Sequence, residues 1–231
     1  MPQLLHLLHL DASARSDSFS RELGAAFASH WKTAHPGGGY THRDLVADPV
    51  RPLDEARVRL SAESSLHAVR SLAAMDAVAA AAPDLARAWA ATRPLVAELL
   101  GADVLVLGAP MYNFTVPAAL KAWLDRVTLP WLPLAGKSAV VLGARGGAYG
   151  PGAPREPFDF QEPYLRAYFT ALGLTDLEFV HTELTHAPVM PFLADLRDAH
   201  EASRAAALAR VATLATRTPT ATPAPAPAPA P

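Results

Sequence analysis

Val104–Leu129 reads VLVLGAPMYNFTVPAALKAWLDRVTL, and its two halves obey different rules. Val104–Leu107 is an unbroken apolar run closed by Gly108-Ala109-Pro110. A short run of this kind predicts a strand buried on both faces, the environment found in parallel sheets. Val116–Leu129 is predicted to be a helix, with Pro117 in its first turn, where a missing N–H does no harm. Strand, loop and helix in that order make half of a crossover unit.

The same alternation extends in both directions. Leu4–Leu10 is a second buried run, bounded by Asp11-Ala12-Ser13. Phe19, Leu23, Ala26, Phe27, His30 and Trp31 fall at helical spacing within Phe19–Ala34, and Pro36-Gly37-Gly38-Gly39 stops that helix. Tyr40–Leu45 reads as a weaker strand, Pro49–Leu60 as a loop, and Ser61–Leu100 as Ala-rich helix broken near Pro83 and Pro94. Further on, Ser138–Gly143 and Thr175–Val180 are strands, while Gln161–Leu172 and Asp195–Thr216 are helices. Five strands separated by helices predict an α/β fold, a doubly wound five-stranded parallel sheet with helices on both faces and right-handed crossovers.

Residues 1–217 are read as one domain. From 218 to 231 the chain becomes alternating Ala-Pro, which predicts an extended, solvated, disordered tail. Hydrophobic residues make up 51% of the 231 and charged residues 18%, a globular balance. The formal net charge of −2 supplies no electrostatic footprint for nucleic acid or an anionic membrane. The absence of cysteine removes disulfide and thiolate chemistry. The N-terminus is apolar but has no basic segment or cleavage site, and no apolar run approaches the roughly 20 residues that span a bilayer. A soluble, cytoplasmic protein is expected.

Ligands of an open parallel sheet bind at the carboxyl ends of its strands, which directs attention to three loops. After the first strand, Ser13-Ala14-Arg15-Ser16-Asp17-Ser18-Phe19-Ser20 opens a helix. Helix N-termini with nearby hydroxyls bind phosphate readily, although Ser and Asp are also ordinary N-caps. Neither GxGxxG nor GxxxxGK[ST] is present there, so a phosphate monoester suits this loop better than a dinucleotide. After the third strand, Met111-Tyr112-Asn113-Phe114 places an amide between aromatics where a planar ring would lie. After the fourth, Ala144-Arg145-Gly146-Gly147-Ala148-Tyr149 offers backbone that a ligand can approach closely.

Together these loops resemble the FMN-dependent NADH:quinone oxidoreductase and NADH-azoreductase family of the flavodoxin-like superfamily. The likeness is strongest where Pro110-Met111-Tyr112-Asn113-Phe114 precedes Leu120-Lys121-Ala122-Trp123-Leu124-Asp125, and Gly173-Leu174-Thr175-Asp176 agrees in order and spacing. The resemblance implies a flavodoxin-like fold and a non-covalently bound FMN. It assigns the phosphate to Ser13, Ser18, Phe19 and Ser20, the ribityl chain and ring edge to Met111, Tyr112, Asn113 and Phe114, and the pyrimidine end to Ala144, Arg145, Gly146 and Gly147. It also implies hydride transfer from NADH or NADPH through flavin N5 to quinones and azo compounds, by a ping-pong mechanism at a homodimer interface. No side chain is assigned as a catalytic acid, base or nucleophile.

Two departures from that family bear on the substrate pocket, for which Trp131, Tyr149 and Ala171 are the candidates. The segment Thr128–Lys137 is shorter than the family's, so Trp131 either replaces a lid aromatic or anchors a helix end. Ala171 stands where a bulkier aromatic is usual, and either opens the pocket or faces the helix–sheet core. His6 and His9, three apart on one strand, point to opposite faces and predict no metal site. Arg57 and Arg59 are expected in a mobile loop, either meeting a cofactor phosphate or, the preferred reading, as solvated surface. The competing function is a flavodoxin-type electron carrier or non-catalytic FMN-binding module, against which the near-neutral charge argues.

Overall fold

A computed structural model describes residues 4–218. Five strands, β1 (His6–Asp11), β2 (Gly39–Asp44), β3 (Val104–Pro110), β4 (Ser138–Ala144) and β5 (Asp176–Thr182), form one sheet in the order β2-β1-β3-β4-β5. Every neighbouring pair is parallel. The chain steps outward from β1 to β2, then returns past β1 to β3. Strand order therefore reverses between β1 and β3, and their carboxyl ends flank the crevice where such sheets take ligands.

Alternation along the strands distributes the core between two faces. Leu7, Val106, Val140 and Leu142 meet Leu23, Phe27 and Trp31 of α1 (Phe19–Ala34) and Val211 and Leu214 of α7 (Arg197–Leu214) on one face. Leu8, Leu10, Leu105, Leu107 and Val141 face the opposite way. They are covered by residues of α2 (Glu55–Leu66), α3 (Leu72–Ala79), α4 (Pro83–Gly101), α5 (Ala118–Val127) and α6 (Gln161–Ala171). The central strand β3 is buried along its whole length, while β2 at the edge is half-exposed. Its unbroken apolar run and the weaker pattern of Tyr40–Leu45 have this cause.

The expectation of a loop at Pro49–Leu60 is corrected. Asp54 caps α2 by accepting a hydrogen bond from the Arg57 amide, and the helix begins at Glu55. Arg57 and Arg59 are accordingly helical. Arg57 is buried, and its guanidinium donates to the carbonyl oxygens of Arg126 and Thr128. Arg126 answers by donating to the carbonyls of Arg51 and Pro52. The two arginines stitch the segment before α2 to the end of α5. Apolar periodicity is weak in α2 because its inner face is built partly from a charged side chain that spends its hydrogen bonds on carbonyls.

The break expected near Pro83 is present, with Pro83 in the first turn of α4, but Pro94 lies inside that helix without ending it. The expected Ala-Pro tail lies, apart from Thr218, outside the described residues. No helix among those described is long and apolar enough to cross a membrane.

Candidate functional site

At the carboxyl ends of β1, β3, β4 and β5 lies a cleft with two compartments that share Met111, Gly146 and His186. The smaller, of about 300 Å3, is lined by Ser13, Arg15, Ser18, Phe19, Tyr112 and Ala144 among others. The larger, of about 590 Å3, takes in Asn113, Phe114, Gly147, Tyr149 and Phe192.

The smaller compartment sits on the N-terminus of α1. Ser18 is its N-cap, accepting from the Arg21 amide, while its Oγ lies 2.7 Å from that of Ser20. The first turn of a helix leaves amides without intrahelical acceptors, and these point toward the cap. Ser13 is fully buried, and its backbone oxygen accepts from the Arg21 guanidinium at 2.8 Å. Arg21 is itself held by Asp44 at 2.8 Å, and its hydrogen bond holds the Asp44 carboxyl down at about 2. The serine loop is thus fixed from below by a charge pair.

Tyr112 to Thr115 forms a tight reverse turn in which the two end residues exchange backbone hydrogen bonds of 3.1 Å. Both central residues have positive φ, 48° at Asn113 and 71° at Phe114. Asn adopts this left-handed region readily, but an aromatic there is unfavourable and persists only where surrounding structure dictates it. The turn lifts Asn113 and Phe114 to the wall of the larger compartment and keeps Phe114 partly exposed.

The opposite wall is made by the loop after β4. A Cβ on Gly146 would lie 2.4 Å from the His186 ring, and one on Gly147 would lie 2.9 Å from Arg155 Cδ. Neighbouring groups therefore pack directly on bare backbone at this point, leaving no space for side chains. A capped helix terminus at one end, close-packed glycine backbone at the other and aromatics between them fit a phosphorylated planar cofactor.

The structure brings together most of the residues singled out by sequence. Ser13, Ser18, Phe19, Met111, Tyr112, Asn113, Phe114, Ala144, Gly146, Gly147 and Tyr149 all line the cleft. Ser20 does not; it is buried behind Ser18. Arg145 is buried and turned away, its guanidinium 2.8 Å from Asp159 and near Glu162 and Glu183, so only its backbone belongs to the loop. Trp131 packs in the hydrophobic core with Leu129, Leu132 and Leu134 and does not line the cleft. Ala171 is exposed at the end of α6, in neither the pocket nor the core. The pocket wall expected from 128–137 and Ala171 is supplied instead by the segment after β5, through Leu184, His186, Met190, Phe192, Leu193 and Leu196. That segment follows a strand's carboxyl end as the other three loops do, which is the one signal that pointed to it.

A doubly wound sheet with this cleft at its switch point defines a flavodoxin-like protein, and residues 5–211 match the family described as having a flavodoxin-like fold. A protein of Nocardia farcinica (strain IFM 10152) named FMN-dependent NADH:quinone oxidoreductase is 49% identical over 203 residues, covering 87% of this chain and 94% of that one. One of the same name from Streptomyces coelicolor (strain ATCC BAA-471 / A3(2) / M145) is 42% identical over 219 residues, covering 90% and 93%. The chain belongs to this family of FMN-dependent NADH:quinone oxidoreductases. Among solved structures, an azoreductase from Bacillus anthracis str. Sterne shares the fold with a TM-score of 0.72 at 22% identity, covering 92% of this chain and 99% of that one.

Proposed function

We propose that this chain binds FMN in the cleft and works as a two-electron reductase, taking hydride from NADH or NADPH and passing it to quinones and azo compounds. When bound, FMN supplies the hydride acceptor and donor at N5. The observation that carries this reading is the division of the cleft: a small compartment on a helix N-terminus, lined by Ser13, Arg15 and Ser18, sharing a wall with a larger one that Phe114, Tyr149 and Phe192 line. The first fits a phosphate, and the second has room for a ring and for a substrate stacked on it.

In this reading Ser13, Ser18 and the first-turn amides of α1 anchor the phosphate. Met111 and the Tyr112–Thr115 turn hold the ring edge, and the backbone at Gly146 and Gly147 faces the pyrimidine end. Phe114, Tyr149 and Phe192 exclude water from the face where substrates stack. Donor and acceptor share that face, so each must leave before the other enters, which requires ping-pong kinetics. Phe114, Val189 and Phe192 are exposed on the cleft wall. Phe158 lies 5.7 Å from Phe114 between ring centroids, and the Phe160 amide donates to the Phe114 carbonyl. We assign this exposed apolar surface to a homodimer interface that closes the pocket.

Anaerobic titration of the purified protein tests the reading. Stoichiometric FMN, bleached by a nicotinamide donor and restored by one equivalent of a quinone, is expected. Finding FAD or no flavin after reconstitution refutes it, as does a flavin that neither nicotinamide reduces. Parallel double-reciprocal plots should accompany turnover, and sedimentation should show a dimer. Intersecting plots would overturn the shared face, and a fully active monomer would overturn the interface.

A further inference from the structure

Parallel pairing of β1 with β2 sets His9 opposite His42. Residues paired in register point to the same face, and the two imidazole rings lie 4.8 Å apart between centroids. Asp11, two residues beyond His9, shares that face. We propose that His9, Asp11 and His42 form a binding site for a divalent first-row transition metal, with zinc as the reference ion, that staples the edge strand β2 to β1.

His9 Nδ1 lies 3.0 Å from the Tyr40 hydroxyl, which leaves Nε2 to face inward. His9 Nε2 and Asp11 Oδ1 are 3.6 Å apart, too far for a hydrogen bond. Both atoms are buried, and neither has a hydrogen-bond partner. Buried polar atoms are nearly always satisfied, so two of them aimed at one another mark a place for something to sit between. His42 Nε2 completes the set, 3.0 Å from the other Asp11 oxygen. One ligand atom from each residue can be chosen so that all lie within 4.8 Å of one another. Tetrahedral zinc with bonds of about 2.0–2.2 Å needs its ligand atoms roughly 3.3 Å apart, so the set must close by up to about 1.5 Å on binding, a movement the exposed His42 ring is free to make.

The surroundings hold the ligands in place. A Cβ on Gly24 would come within 2.4 Å of His9 Nε2, and one on Gly108 within 2.5 Å of Asp11 Oδ1. Both ligands therefore lie against bare backbone. Tyr40 fixes the His9 ring through its second nitrogen, the outer hydrogen bond that metal-bound histidines characteristically make. His42 is exposed, giving the ion a route in and leaving a fourth position to water. One charge opposes the ion: Arg21 Nη1 is 3.6 Å from Asp11 Oδ2. The same nitrogen is 2.8 Å from Asp44, which answers most of that charge. Two imidazoles and one carboxylate favour zinc, nickel, cobalt or copper over magnesium and calcium, which prefer all-oxygen ligands. The site is independent of the flavin reading.

The test uses the untagged full chain, stripped with a chelator and dialysed, then titrated with zinc chloride by calorimetry and by competition with a chromophoric zinc indicator. One equivalent should bind and raise Tm. His42→Ala changes an exposed side chain, so it should fold as the parent does while binding zinc at least tenfold more weakly and losing the Tm increment. His9→Gln should behave likewise. His67→Ala, which breaks the exposed pair of His67 with Glu63 on α2, should change nothing. Failure of the parent to bind zinc at tens of micromolar overturns the site and leaves the three residues as a hydrogen-bonded cluster. Equal binding by His42→Ala, or loss of binding in His67→Ala instead, overturns it too.

Discussion

The Tyr112 hydroxyl lies 3.4 Å from Ser13 Oγ and 3.2 Å from the Ala14 backbone nitrogen, so the loop after β3 is tied directly to the loop after β1. The residues are 99 apart in sequence, and the two strands they follow flank the point where strand order reverses. One side chain thereby couples the compartment assigned to the phosphate to the turn assigned to the ring.

Tyr112→Phe removes that tie and little else. A neutral hydrogen bond contributes about 0.5–1.5 kcal/mol, so FMN should bind roughly two- to twelve-fold more weakly. Fluorescence titration of the deflavinated protein measures this. An unchanged Kd would show that the contact does not order the serine loop for the cofactor.

Gly146→Ala should weaken FMN through His186. The new Cβ would lie 2.4 Å from the imidazole, and His186 is exposed enough to swing away, with the shared wall of the two compartments as its near surface. Adding His186→Ala should restore most of the affinity, because the clash then has no partner. Gly147→Ala meets only the flexible Arg155 side chain and should cost less. Additive losses in the Gly146 and His186 double variant would exclude the clash as the cause.

Arg57→Ala should be strongly destabilising. Burial, with Arg126 beside it, pushes the Arg57 guanidinium down to about 10, which still leaves it charged at neutral pH. Its removal orphans the carbonyls of Arg126 and Thr128, at about 1–3 kcal/mol for each buried group left unpaired. A drop in Tm of the order of 10 °C is expected for a domain of this size. Arg59→Ala, whose partner Asp84 is at the surface, should move Tm by only a degree or two. Equal effects from the two variants would contradict the clamp.

Stability should fall with acid in two stages around Glu162 and His181. His181 Nε2 donates to Glu162 Oε2 at 3.1 Å, and Arg166 donates to Oε1 at 2.6 Å. These partners outweigh burial and hold Glu162 at about 2, below its ordinary 4.5. Its contribution is therefore complete above pH 4.5 and is lost as pH falls toward 2. Burial pushes His181 below its ordinary 6.5, so the unfolded chain takes up that proton first and stability declines from pH 6.5 downward. Melting curves should show His181→Gln flattening the upper stage and Glu162→Gln the lower. If both variants keep the parent's slope, other groups govern the acid limb.

Sequence alone specified the layered architecture and most of the cleft. Runs such as Val104–Leu107, short and closed by Gly108-Ala109-Pro110, fit a sheet covered on both sides, and helical spacing in Phe19–Ala34 marks the cover. The loops at strand ends then follow from the parallel order, which is why Ser13, Met111 to Phe114 and Gly146 were legible. Local sequence carries these features because each depends on the period of a single element or the chemistry of a single loop. Long-range packing decided the rest. Arg57 looked like surface because charge usually means solvent, and only the approach of two carbonyls from another helix end makes it interior. Arg145 sits in the expected loop, yet Asp159, Glu162 and Glu183 draw its side chain to the far side. Along the strand, the histidine nearest to His9 is His6, which faces away. Its true neighbour, His42, is set by the register of β1 against β2, and register arises from pairing two strands, a relationship that neither strand's sequence contains by itself.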